Sequence, residues 1–81
     1  MRTEGYIDSI SNEGKIIARF PTHVNLNTPV KDIRNKKIGK IDWIFGPIDE
    51  PYFEIEPLNK SQKTLSLIGS TIYVEEDNDD G

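Results

Sequence analysis

Cysteine is absent from the 81 residues, which removes disulfides, thiolate zinc sites, iron–sulfur clusters and thiol catalysis together. Alanine occurs once, at Ala18, and leucine four times. No stretch approaches the roughly 20 apolar residues of a membrane span, and the opening Met1-Arg2-Thr3-Glu4-Gly5-Tyr6 has no apolar signal region. The expectation is an intracellular, cytoplasmic chain with no membrane partner and no cofactor. Asn59-Lys60-Ser61 fits a glycosylation acceptor, a three-residue pattern that also arises by chance.

What is present is lopsided toward sheet. Twelve isoleucines, three valines and five threonines make 20 β-branched residues, which fit a pleated surface and lose side-chain freedom in helices. An all-α fold is excluded. Hydrophobic residues are 35% of the chain, enough for one lean core and no second domain. A chain of this size buries only about 60–65% of its unfolded surface, so the expectation is a monomer of modest stability that leans on a partner.

Net charge is −4, yet residues Glu75 to Gly81 hold five acids and no base. The remaining 74 residues carry 10 basic and 9 acidic side chains, a net of +1. The division is therefore a core domain over 1–74 and an acidic, disordered tail over 75–81. The core is neither strongly acidic nor strongly basic.

Short apolar runs separated by turn residues mark an all-β barrel or sandwich. Tyr6–Ile10 is followed by Ser11-Asn12-Glu13-Gly14, a hairpin turn. Lys15–Phe20 is stopped by Pro21 and is expected to pair antiparallel with the first run. Thr22–Pro29 is a polar loop, Val30–Asp32 an edge strand, and Arg34-Asn35-Lys36-Lys37 a basic turn. Ile38–Phe45 is the strongest strand signal, and Gly39 within it suggests a bulge or tight bend. Tyr52–Glu56 and Thr71–Val74 complete six strands, with Leu58–Gly69 a connector whose Leu65 and Leu67 are candidates to touch the core. Closure into a barrel would hide the strand edges.

Catalytic machinery is missing. The one histidine, His23, stands in a polar loop, where a lone histidine is normally a surface residue. Asp49-Glu50 is an adjacent carboxylate pair, but neighbours on a tight turn diverge and two acids beside prolines are ordinary turn chemistry. No glycine-rich phosphate cradle is present. The expectation is a protein that is not an enzyme.

The unusual stretch is Ile44-Phe45-Gly46-Pro47-Ile48-Asp49-Glu50-Pro51-Tyr52-Phe53. Loops are normally polar because water must solvate their backbone; this one is apolar and stiffened by two prolines. It reads equally as a preformed docking surface or as a hydrophobic loop folded over the mouth of its own barrel.

The same stretch carries a family resemblance. Ile38-Gly39-Lys40-Ile41, then Ile44-Phe45-Gly46-Pro47-Ile48, then Pro51-Tyr52 resembles the I-G-x-[VI]-x-x-[IV]-F-G-P-[VI]-x-x-P-Y block of the small glycine/arginine-rich-domain proteins of box H/ACA ribonucleoproteins. Gly5, Pro29-Val30-Lys31-Asp32, and Leu67-Ile68-Gly69 before Tyr73-Val74 extend it over about residues 3–74. The eukaryotic glycine/arginine-rich extensions are absent from these residues, which matches the archaeal-type core and argues against a nucleolar member; Trp43 departs from the small or polar residue expected there.

The resemblance implies a six-stranded antiparallel split barrel of the translation-factor and reductase kind. It implies a non-catalytic subunit that binds the pseudouridine synthase, promotes RNA-guided pseudouridylation and turnover of rRNA targets, and meets guide and target RNA only through the complex. Pro47, Ile48 and Tyr52 are the expected partner anchors, with Phe45 a further partner-binding residue, Gly46 and Pro51 fixing the loop's shape and Val30 a flanking contact.

The competing readings are a free-standing RNA-binding barrel and a translation-factor-like fragment. Lys31, Arg34, Lys36, Lys37 and Lys40 form the basic cluster, with Trp43, Tyr52 and Phe53 as candidate stacking platforms. Against an RNA face stand the net of +1 and the acids Asp42, Asp49, Glu50 and Glu54 beside those aromatics; a solvated surface would show the same five cations.

Overall fold

The computed structural model describes residues 2–58 and 67–75. Asn59-Lys60-Ser61, Leu65 and tail residues 76–81 lie outside the described residues.

Six strands form in chain order: β1 (Arg2–Ile10), β2 (Ile16–Arg19), β3 (Pro29–Lys31), β4 (Lys37–Phe45), β5 (Tyr52–Pro57) and β6 (Thr71–Glu75). They close into an antiparallel barrel ordered β1-β2-β5-β4-β3-β6. The expected hairpin joins β1 to β2. Its turn is held by the Ser11 hydroxyl, which accepts hydrogen bonds from the Glu13 and Lys15 amides at 3.2 and 3.1 Å.

Closure corrects three expectations. β1 begins at Arg2 rather than Tyr6, because Arg2–Tyr6 pair with β6 and seal the barrel. β3 is not an edge strand: it pairs with both β4 and β6, and its proline stands first, where a missing ladder donor is tolerated. Glu75, assigned to the tail, is the last residue of β6 and lies opposite Arg2.

Asp32, expected in the strand, shapes the β3–β4 turn instead. Its carboxylate accepts from the Arg34 and Lys36 amides, both at 2.9 Å, while Asn35 takes the left-handed conformation at φ 66°.

The interior is filled by Ile7, Ile16, Ala18, Phe20, Val24, Val30, Ile38, Ile41, Phe53, Ile55, Ile72 and Val74. Phe20 meets Phe53 edge to face, with centroids 5.3 Å apart. Val24 enters from the polar loop, which is tied to β4 by bonds between Ile41 and the Asn27–Thr28 backbone. Leu67 packs against this core as expected.

Gly39 is not the bulge. It pairs regularly with Val30 on one side and Pro57 on the other. A Cβ there would run into the Glu56 carbonyl and Ile55, so glycine is required for close strand approach. The bulges flank it. Ile38 is the extra β4 residue against β3, and Asp42 the extra residue against β5.

Candidate docking surface

The Asp42 bulge decides which side chains reach the surface. Ile41 faces inward; strict alternation would then send Trp43 and Phe45 inward and Ile44 out. The inserted residue reverses this. Trp43, paired with Glu54, is 58% exposed, Ile44 packs toward the core, and Phe45 is exposed.

Phe45 and Tyr52 face each other at the ends of β4 and β5. Their rings stack with centroids 5.4 Å apart and planes 21° from parallel. The Arg19 guanidinium lies over the Tyr52 ring at 4.4 Å, and its Nη2 donates to Glu50 Oε1 at 3.0 Å. One arginine on β2 thus links the aromatic pair to the following loop. Ile17 forms the floor of a shallow groove of about 270 Å³ beside Phe45 and Tyr52; it lies outside the core cluster, yet is buried.

The loop from Gly46 to Pro51 rises from this platform. Gly46 sits at φ 96°, where a Cβ would be strained and only 3.0 Å from Tyr52 Cδ2. The Glu50 amide donates to the Pro47 carbonyl at 3.2 Å, closing a tight turn. Ile48 stands at its tip, 93% exposed. A loop folded over the mouth of its own barrel would bury Ile48, so that reading is overturned. Pro47 is exposed and Pro51 half-buried.

Two sequence-based assignments move to the interior. Val30 is fully buried, its side chain inside the barrel where β3 meets β4 and β6, so it cannot flank a contact surface. Phe53 is likewise fully buried beneath β5 and cannot serve as a stacking platform.

Sequence reasoning missed Lys15 and Arg19. Lys15 Nζ lies 2.8 Å from Asp42, 3.1 Å from Glu56 and 3.3 Å from Glu54. Hydrogen bonding to Asp42 first, then to Glu56, holds its pKa above the usual lysine range. Burial alone would raise the Asp42 pKa, but the Lys15 hydrogen bond and charge outweigh it and hold the carboxyl below its usual range. The available signal was two cations four residues apart around an apolar β2.

The basic cluster lies elsewhere. Arg34 and Lys36 occupy the β3–β4 turn, Lys37 begins β4, Lys31 ends β3, and Lys40 lies opposite Glu56. All but the half-buried Lys31 are exposed. Lys37 and Phe45 are separated by the full length of β4, about 26 Å at strand rise.

A family model described as the Gar1/Naf1 RNA binding region matches residues 2–80. An uncharacterized protein of Methanothermobacter thermautotrophicus is 40% identical over 76 residues, covering 91% of this chain and 83% of its own. Two fungal proteins named H/ACA ribonucleoprotein complex subunit GAR1 are also similar. That of Chaetomium globosum is 29% identical over 69 residues, covering 85% of this chain and 33% of the relative. That of Botryotinia fuckeliana is 33% identical over 66 residues, covering 79% and 30%. The chain spans about a third of each fungal relative.

Proposed function

The chain belongs to the Gar1/Naf1 RNA-binding-region family, and from that premise we propose that it is a non-catalytic protein subunit of an H/ACA ribonucleoprotein, one that docks on the pseudouridine synthase subunit and promotes RNA-guided modification and turnover of rRNA targets. The observation that carries this reading is Ile48, a large aliphatic side chain held 93% exposed on a loop stiffened by Pro47 and Pro51.

An isolated apolar tip gains nothing from water. It gains about 1.5–3 kcal/mol when a partner buries it. The backbone is already set by the positive φ of Gly46 and the Pro47–Glu50 hydrogen bond, so little loop entropy remains to be lost on docking. Phe45 and Tyr52 beneath the loop add a flat aromatic area, with Trp43 further along the same face. Interfaces concentrate their energy in such aromatic and aliphatic anchors.

The functional role is read from the preset backbone of this surface. A subunit that offers a preformed apolar surface to a catalytic partner acts by biasing that partner's conformations, which requires a difference in affinity between them. The test is reconstitution of an H/ACA synthase with guide and substrate RNA, with and without the full chain. The expected result is a stable complex with the synthase and faster multiple turnover. No complex, and unchanged turnover, would overturn the proposal.

A further inference from the structure

Beside the docking loop, on the side away from Phe45, β1 and β2 border an open groove of about 480 Å³. Glu4 and Tyr6 of β1, Arg19 of β2, Pro21 just beyond it, and Asp49 and Glu50 of the loop line it. Tyr6 is the direct cross-strand partner of Arg19 and is 48% exposed. Three carboxylates thus share the groove with one guanidinium, a net of −2.

That guanidinium is already engaged. It lies over the Tyr52 ring and pairs with Glu50. Glu4 and Asp49, by contrast, form no ion pair with a described residue. The other basic side chains close by in the chain do not line the groove. Arg2 lies 4.0 Å over the Tyr73 ring and opposite Glu75, and His23 stands in the exposed loop after Pro21. Arg19 shows how this surface holds a cation, with an aromatic ring beneath it and a carboxylate beside it. Tyr6, Glu4 and Asp49 offer the same two elements a second time.

We propose that this groove is a second contact of the docking surface, which takes an arginine or lysine side chain of the protein partner. The proposal rests on the docking reading above and adds the chemistry that partner must present, a cation beside the apolar patch that covers Ile48. Asp49 directly follows Ile48, so the loop tip and the rim of the groove are continuous. A long cationic side chain fits because its stem packs on Tyr6 and Pro21 while its head meets the carboxylates. A bare metal ion fits less well: among the described residues no three His, Cys, Asp or Glu side chains are placed to hold one. A phosphate backbone is repelled by the net negative charge. Because the carboxylates are exposed, the contact acts chiefly on association rate and partner choice, and it weakens as salt rises.

The experiment follows association and dissociation of the full chain on an immobilised H/ACA synthase, at about 50 and about 500 mM salt. Glu4→Gln with Asp49→Asn should bind about 5- to 10-fold more weakly at the lower salt, chiefly through slower association, and within about 2-fold of the wild type at the higher. Its melting temperature should match the wild type, because neither carboxylate is paired with a described residue. Ile48→Ser should lose affinity by the same factor at both salts, since salt does not screen the burial of an apolar side chain. Wild-type binding by the double variant at the lower salt, or a loss that persists undiminished at the higher, would overturn this inference and leave the docking reading standing. An absence of binding by the wild-type chain would instead overturn the docking reading, and this inference with it.

Discussion

Ile48→Asp is the most discriminating perturbation of the docking loop. In the free protein Ile48 is 93% exposed, so the change removes almost no packing. Surface substitutions of this kind stay within about 0.5 kcal/mol, which for a domain of this size corresponds to about 2–4 °C in Tm. In the proposed complex with the synthase the balance is different. Burial of an isoleucine side chain contributes about 1.5–3 kcal/mol, and the replacement carboxylate would be desolvated there without a counter-charge, a further penalty of several kcal/mol. The affinity for the synthase should therefore fall by at least about 2–3 kcal/mol, about 30- to 150-fold. Calorimetric titration of the synthase checks the affinity, a thermal melt checks the fold, and a multiple-turnover assay checks the consequence. A fall in Tm of more than about 8 °C would show that the loop belongs to the core. An unchanged Kd with an intact fold would place the interface elsewhere. Either result refutes the reasoning.

Gly46→Ala should destabilise the protein by about 1–3 kcal/mol in urea unfolding, because φ 96° is strained for any side chain and the new Cβ meets Tyr52. Gly39→Val should cost about 3 kcal/mol or more in the same measurement, since its side chain would collide with the Glu56 backbone and with the fully buried Ile55 side chain. Lys15→Met should lower Tm at pH 7 by leaving Asp42, Glu54 and Glu56 without their shared cation. The Asp42 pKa is depressed from 3.8 in the folded state, so its contribution is present above about pH 4 and is lost as pH falls below that value. The Tm gap between wild type and variant should therefore hold from pH 5 to 9 and shrink toward pH 3. The raised Lys15 pKa acts in the opposite sense, its contribution being fully present below 10.5 and lost only in strong alkali. A gap independent of acid pH would show that the cluster contributes no charge-linked stability.

Much of the barrel was legible because its signals are local. Proline, glycine and asparagine punctuate the chain where hydrogen-bond donors are missing or positive φ is needed, and isoleucine runs lie between them. The apolar loop was legible for a related reason: Gly46-Pro47 and Pro51 restrict their own backbone, whatever the rest of the chain does. The family block lies on these same residues. Val30 was misassigned because its neighbours, Pro29 and Lys31, look like surface. Only the pairing of β3 with both β4 and β6 turns that one side chain inward.

The sequence by itself determined six strands, their turns, a core rich in β-branched residues and a stiff apolar loop; that the loop holds its aliphatic tip, Ile48, in solvent was decided by the tertiary structure. The tertiary structure alone decided which faces those strands present. One extra residue at Asp42 shifts the β4–β5 register and turns Trp43 outward, while the same closure brings Lys15 against three carboxylates from β4 and β5. The physical reason is the two-residue period of a strand. Local composition sets where a strand begins and ends, but a single-residue shift in pairing exchanges its two faces, and that pairing is set by partners 7 to 73 residues away in the chain.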